Sequence, residues 1–146
     1  MRTPAIIGLG AAYLVTLVDL TLVIFPQPEP APNLVPMRTI SACWEAGGWS
    51  GVMNLGGNLA LLAPMGMIVG LIRPGRGGPA MALVAGAVMS LAIELAQFAG
   101  GHRTADVDDV LLNTIGAILG ALAVSSARWA TSAPGGSRRV SASPSR

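Results

Sequence analysis

Apolar and polar positions alternate along this chain on the scale of whole helices rather than of single residues. Four long apolar runs, Pro4–Phe25, Gly51–Ile72, Pro79–Gly100 and Val107 to about Ala130, are separated by short polar or proline-rich breaks. A run of 22 residues makes a helix of about 33 Å, enough to cross a bilayer. The pattern predicts an all-α protein, a four-helix transmembrane bundle occupying residues 1–130. Pro26–Pro36 carries five prolines and reads as an extended loop after the first helix. Met37–Trp49 is mixed in character and predicts a short interfacial helix, with Trp44 and Trp49 as anchors. Ser50 is the expected N-cap of the second span, and Pro64 is expected to kink it. The first run is too long for the core of a cleaved signal peptide, and no small-x-small site precedes the prolines. Residues 131–146, rich in Ser, Gly and Arg, read as a disordered basic tail.

Composition supports this division. Hydrophobic residues make up 52% of the 146 and charged ones 11%, against about 25% charged in ordinary soluble domains. The basic residues are all arginines, and their placement sets an expected topology. Arg2, Arg73, Arg76, Arg128, Arg138, Arg139 and Arg146 fall on one side of a four-span chain; only Arg38 and Arg103 fall on the other. The positive-inside rule then puts both termini in the cytoplasm of a multi-pass protein of the bacterial cytoplasmic membrane, with the tail against anionic lipid head groups. Arginines gathered at helix ends and in the tail argue topology, and no nucleic-acid partner is expected. A single cysteine, Cys43, allows no internal disulfide, and no His/Cys spacing suggests zinc.

The polar residues inside the spans carry the candidate chemistry. Asp106, Asp109, Asn113, Gly116 and Gly120 step by three and four and share one helical stripe, with Asp108 on another face. Asp19, Asn54, Asn58, Glu94, Gln97 and Asn113 all fall in the outer half of the membrane, level with a loop carrying Arg103 and three aspartates. A charge near mid-bilayer costs roughly 2.5–3.5 kcal/mol on insertion scales, so their convergence at one depth predicts a shared pocket. Each residue also has a plainer reading. Glu94 can form an ion pair with Arg103, the aspartates can cap the fourth helix, the asparagines can be interhelical glue, and His102 can be an ordinary loop residue. Gly116 and Gly120 read as close packing. In the functional reading Glu94, Asp106 and Asp109 are candidate general bases or ligands of a divalent cation. Arg103, Asn54, Asn58, Gln97 and Asn113 would then bind substrate, Arg103 being suited to a phosphate.

These residues, in this order, resemble the VanZ-like family of small bacterial membrane proteins. The matching pieces are NLVPMRTI at 33–40, NLGGNLALLAPMG at 54–66, SLAIELAQ at 90–97 and RTADVDDVLLNTIGAILG at 103–120. Met37 departs from a position where the family often has an aromatic residue. The resemblance implies a four-helix membrane bundle and, through its namesake, an association with low-level resistance to the glycopeptide teicoplanin. A more distant similarity is to membrane proteins that modify lipid head groups. Residue by residue, it marks Asn54, Asn58, Glu94, Gln97, Arg103, Asp106, Asp109 and Asn113. The expected function is action on a lipid or lipid-linked cell-envelope intermediate, as a head-group hydrolase or transferase. The alternative is a non-enzymatic protein that binds or shields envelope precursors or antibiotic. A transporter is disfavoured, because the cytoplasmic half offers no polar path.

Overall fold

A computed structural model describes residues 2–19, 32–100 and 105–132. Its six helices are α1 (Arg2–Val18), α2 (Arg38–Ala46), α3 (Gly48–Leu61), α4 (Ala63–Ile72), α5 (Gly77–Ala99) and α6 (Val107–Ser132). Among the described residues there is no strand, only one bridge joining Asn33 to Asp106.

Three stretches are long and apolar enough to cross a membrane: Gly48–Ile72, Gly77–Ala99 and Val107–Thr131. They match the second, third and fourth expected spans. The first expected span is helical over Arg2–Val18, which is 17 residues; its remainder, 20–25, lies outside the described residues. So do Pro26, Pro28 and Pro30 of the expected loop, and 133–146 of the tail.

The second span starts earlier than expected and is not one helix. The chain leaves α2 through Gly47 at φ 60°, which is the N-cap of α3 and makes no side-chain cap hydrogen bond. Glycine adopts that left-handed geometry without a Cβ penalty. Ser50 therefore sits inside α3 instead of capping it. The break expected from Pro64 falls two residues upstream, at Leu62, leaving Pro64 in the first turn of α4 where its missing N–H costs least. The Tyr13 hydroxyl of α1 donates to the Leu61 carbonyl at the break, 2.7 Å away. An aqueous or side-chain partner for such a carbonyl is what a broken membrane helix requires.

Helix α6 is the axis of the bundle, packed on α3, α4 and α5. Its lower half meets α3 and α4 backbone to backbone. A Cβ at Gly116 would overlap the Leu59 carbonyl oxygen, one at Gly120 that of Ala63, and one at Gly66 that of Ala117. Helices in lipid gain little from apolar burial against one another, so close contact through small residues supplies the attraction. The α5 face follows the same logic. Gly78, Ala82 and Gly86 are buried along one stripe, and the stripe continues upward as Ser90, Glu94 and Gln97. At the α4–α5 end, Arg128 donates to the carbonyls of Gly70 and Leu71, satisfying the last turn of α4.

Candidate functional site

At the α2 end, polar side chains of α3, α5 and α6 meet. The deepest rung joins Asn113 Nδ2 to Ser90 Oγ at 2.9 Å. One turn above, Asn58 Nδ2 donates to Asp109 Oδ1 at 2.6 Å. At the top, Glu94 Oε2 accepts the backbone N–H of Asp106 at 2.8 Å, tying the C-terminal part of α5 to the start of α6. Ser90, Glu94, Gln97, Asp108, Asp109 and Asn113 are all buried.

The three aspartates divide their work. Asp106 is not on the helical stripe but precedes it as the N-cap of α6, its Oδ1 accepting the N–H of Asp108 at 2.8 Å. The same Oδ1 accepts from Asn33 Nδ2 at 2.9 Å, and Oδ2 accepts from the Thr39 hydroxyl. Asp108, assigned by helical spacing to a face away from the stripe, is fully buried. It accepts the backbone N–H groups of Met37 (2.6 Å), Thr39 (2.7 Å) and Ile40 (3.2 Å). Asp108 thus caps α2, a helix whose own N-cap, Met37 at φ 68°, offers no side-chain bond. A carboxylate at the exposed N–H groups of a helix start is favoured by both hydrogen bonding and the helix dipole. Backbone bonds from Asn33 N to the Ala105 carbonyl and from Val107 N to the Asn33 carbonyl complete the clamp. Residues 33–40 are therefore fastened across the start of α6.

Capping consequently accounts for two of the three aspartates, and it leaves Asp109 as the one aimed at the Asn58 and Asn113 side. Asn54 is exposed, although it shares a helical face with the half-buried Asn58. Arg103 and His102 lie outside the described residues, as does any Glu94–Arg103 pair. Among the described residues, no three His, Cys, Asp or Glu side chains stand together in a way that would hold a metal ion. A cation shared with Asp106, Asp109 or Glu94 would need oxygens from its ligand to complete its shell.

Ser90, Asn33 and Thr39 join the cluster without having been singled out as site residues. Ser90 shares the helical face of Glu94 and Gln97, four residues before Glu94 on an otherwise apolar helix. The partners of Asn33 and Thr39 lie some 70 residues away, where spacing rules have no reach. Above the cluster, α2 buries none of its own residues, and Trp44 and Trp49 are exposed at 80% and 76%. The Cys43 thiol of α2 is held above its ordinary range, first by desolvation and then by the negative charge of Asp109 and Asp106.

No curated protein and no solved structure matches the chain. A family model described as VanZ/LLP1 matches residues 10–128, which takes in α2 to α5, most of α6 and every member of the polar cluster. The chain belongs to the VanZ/LLP1 family.

Proposed function

We propose that this protein binds and modifies a phosphorylated lipid head group, or a lipid-linked cell-envelope intermediate, at the α2 end of its bundle. One observation carries the reading: Glu94, Asp109 and Asn113 are buried polar side chains on the facing surfaces of α5 and α6, in helices otherwise apolar enough to span a membrane. Polar groups at that depth are costly, and function is the usual reason they persist. Asp109 is the favoured general base, because Asn58 fixes its carboxylate at the head of the buried polar stripe. Arg103 would neutralise the phosphate, and Asn113 and Gln97 would orient the head group. Asp106 passes from candidate base to positioning residue, its oxygens being engaged by Asn33, Thr39 and Asp108. The clustering of Arg73, Arg76 and Arg128 at the opposite end supports a site facing away from the cytoplasm of the bacterial membrane.

A second reading rests on Glu94, which spends an oxygen on the Asp106 backbone as a structural carboxylate would. Under it the protein engages an envelope precursor or glycopeptide without chemistry. Incubation of the purified protein with membrane extract, followed by lipid mass spectrometry, separates the two. New head-group products from wild type, lost in Asp109→Asn and Glu94→Gln variants that still fold, support the enzyme. Bound lipid without any product supports the binding protein, and neither lipid nor product sinks both.

A further inference from the structure

Asn113 is 2% exposed, and its two polar atoms have different fates. Nδ2 donates to Ser90, whereas Oδ1 is buried and has no hydrogen-bond partner. An unpaired buried acceptor carries its full desolvation penalty, and native proteins hold few of them. Its position gives the exception a meaning. Asn113 lies six residues into α6, roughly 9 Å below the helix start at 1.5 Å per residue. Asp109 stands one turn above on the same stripe, and Gly116 and Ala117, both buried, stand one turn below. The polar column therefore ends at this oxygen, and the next turn is sealed by contact of Gly116 with the Leu59 backbone. Along the column the amide N–H groups of Asn58 and Asn113 donate to Asp109 and Ser90, so the acceptor left over is Asn113 Oδ1, and it calls for a donor.

We propose that Asn113 Oδ1 forms the floor of the head-group site and reads a hydrogen-bond donor of the ligand, an N–H of an ammonium or an O–H of a polyol. This inference rests on the lipid-site reading above and adds the chemical class that the site selects. A head group with such a donor satisfies the orphaned oxygen; one without it leaves the penalty in place and binds more weakly.

The test is native mass spectrometry of the full chain in detergent, delipidated and then titrated with three defined lipids. Phosphatidylethanolamine offers an ammonium, phosphatidylglycerol offers hydroxyls, and phosphatidylcholine offers no donor on its head group. Wild type is expected to hold one of the first two about tenfold more tightly than phosphatidylcholine, the worth of one buried hydrogen bond. Which of the two is preferred identifies the donor as ammonium or hydroxyl. Asn113→Leu should erase the preference, and Asn113→Asp, which keeps an acceptor at the same place, should retain it. Should the leucine variant not fold, wild type and Asn113→Asp decide between them. The inference is overturned if wild type ranks the three lipids equally, which leaves only a resident water at Oδ1. It is also overturned if Asn113→Leu keeps the preference, or if Asn113→Asp loses it and so identifies the unpaired atom as an N–H. Lipids that bind without regard to donors refute this inference alone, whereas binding of none of the three also removes the lipid-site reading.

Discussion

The two halves of the α6 interface are built from the same periodicity and opposite chemistry. Toward the α4–α5 turn, Gly66, Gly116 and Gly120 bring backbones so close that a methyl group has no room, and Gly70 and Gly86 are packed nearly as tightly against Ala121 and Ala117. Toward α2, the same helix faces present Ser90, Glu94, Asn58, Asp109 and Asn113, and side-chain hydrogen bonds span the gap instead. Backbone contact leaves nothing for a ligand to displace. Hydrogen-bonded side chains can exchange partners, and one acceptor among them is already without one. One half therefore serves as a fixed frame and the other as a place where chemistry or binding can occur.

The largest effect should come from breaking the frame. Gly116→Leu forces a side chain into the Leu59 backbone and should cost upward of about 3 kcal/mol, read as lost thermal stability of the purified protein. Gly57, whose Cβ position is open on every side, is the internal control. There an alanine should be neutral or stabilising by up to about 1 kcal/mol, since it relieves a helical glycine. Equal responses at the two positions would remove the distinction between frame and surface.

Next comes the clamp over the polar half. Asp108→Ala strips three backbone N–H groups of their carboxylate and should cost about 2–3 kcal/mol. Hydrogen exchange should accelerate at Met37, Thr39 and Ile40, while amides of α4 stay protected. A smaller change is expected at the Leu62 break. Tyr13→Phe removes one hydroxyl bond to the Leu61 carbonyl and should cost about 0.6 kcal/mol, seen as a slight fall in melting temperature.

The smallest effect concerns pH. The Cys43 thiol is raised in the folded chain, so the folded state prefers the neutral form more than the unfolded chain does. Its contribution is intact below the free-thiol range and is lost as pH rises from there through the raised value. Maleimide should accordingly label Cys43 more slowly near neutrality than a free cysteine peptide. Asp109→Asn should quicken labelling by removing one of the charges responsible, and an unchanged rate would show that Asp109 does not act on this thiol.

Hydropathy and helical spacing were enough to place the second, third and fourth spans within a few residues. They also put Asn58, Glu94, Asp109 and Asn113 at one level, because apolar length and the 3.6-residue period are local properties of the chain. Local pattern misjudged what depended on distant neighbours. Asn54 and Asn58 share a helical face, yet Asn54 is exposed while Asn58 bonds to Asp109 of α6. Asp108 falls on another face by spacing, and it is fully buried there because the N-terminus of α2, some 70 positions away in sequence, closes over it. The chain by itself determined which segments are helical and apolar, and which polar residues lie at one depth. Only the tertiary structure decided which carboxylates are consumed as caps, since a buried N–H takes whichever acceptor the fold brings to it.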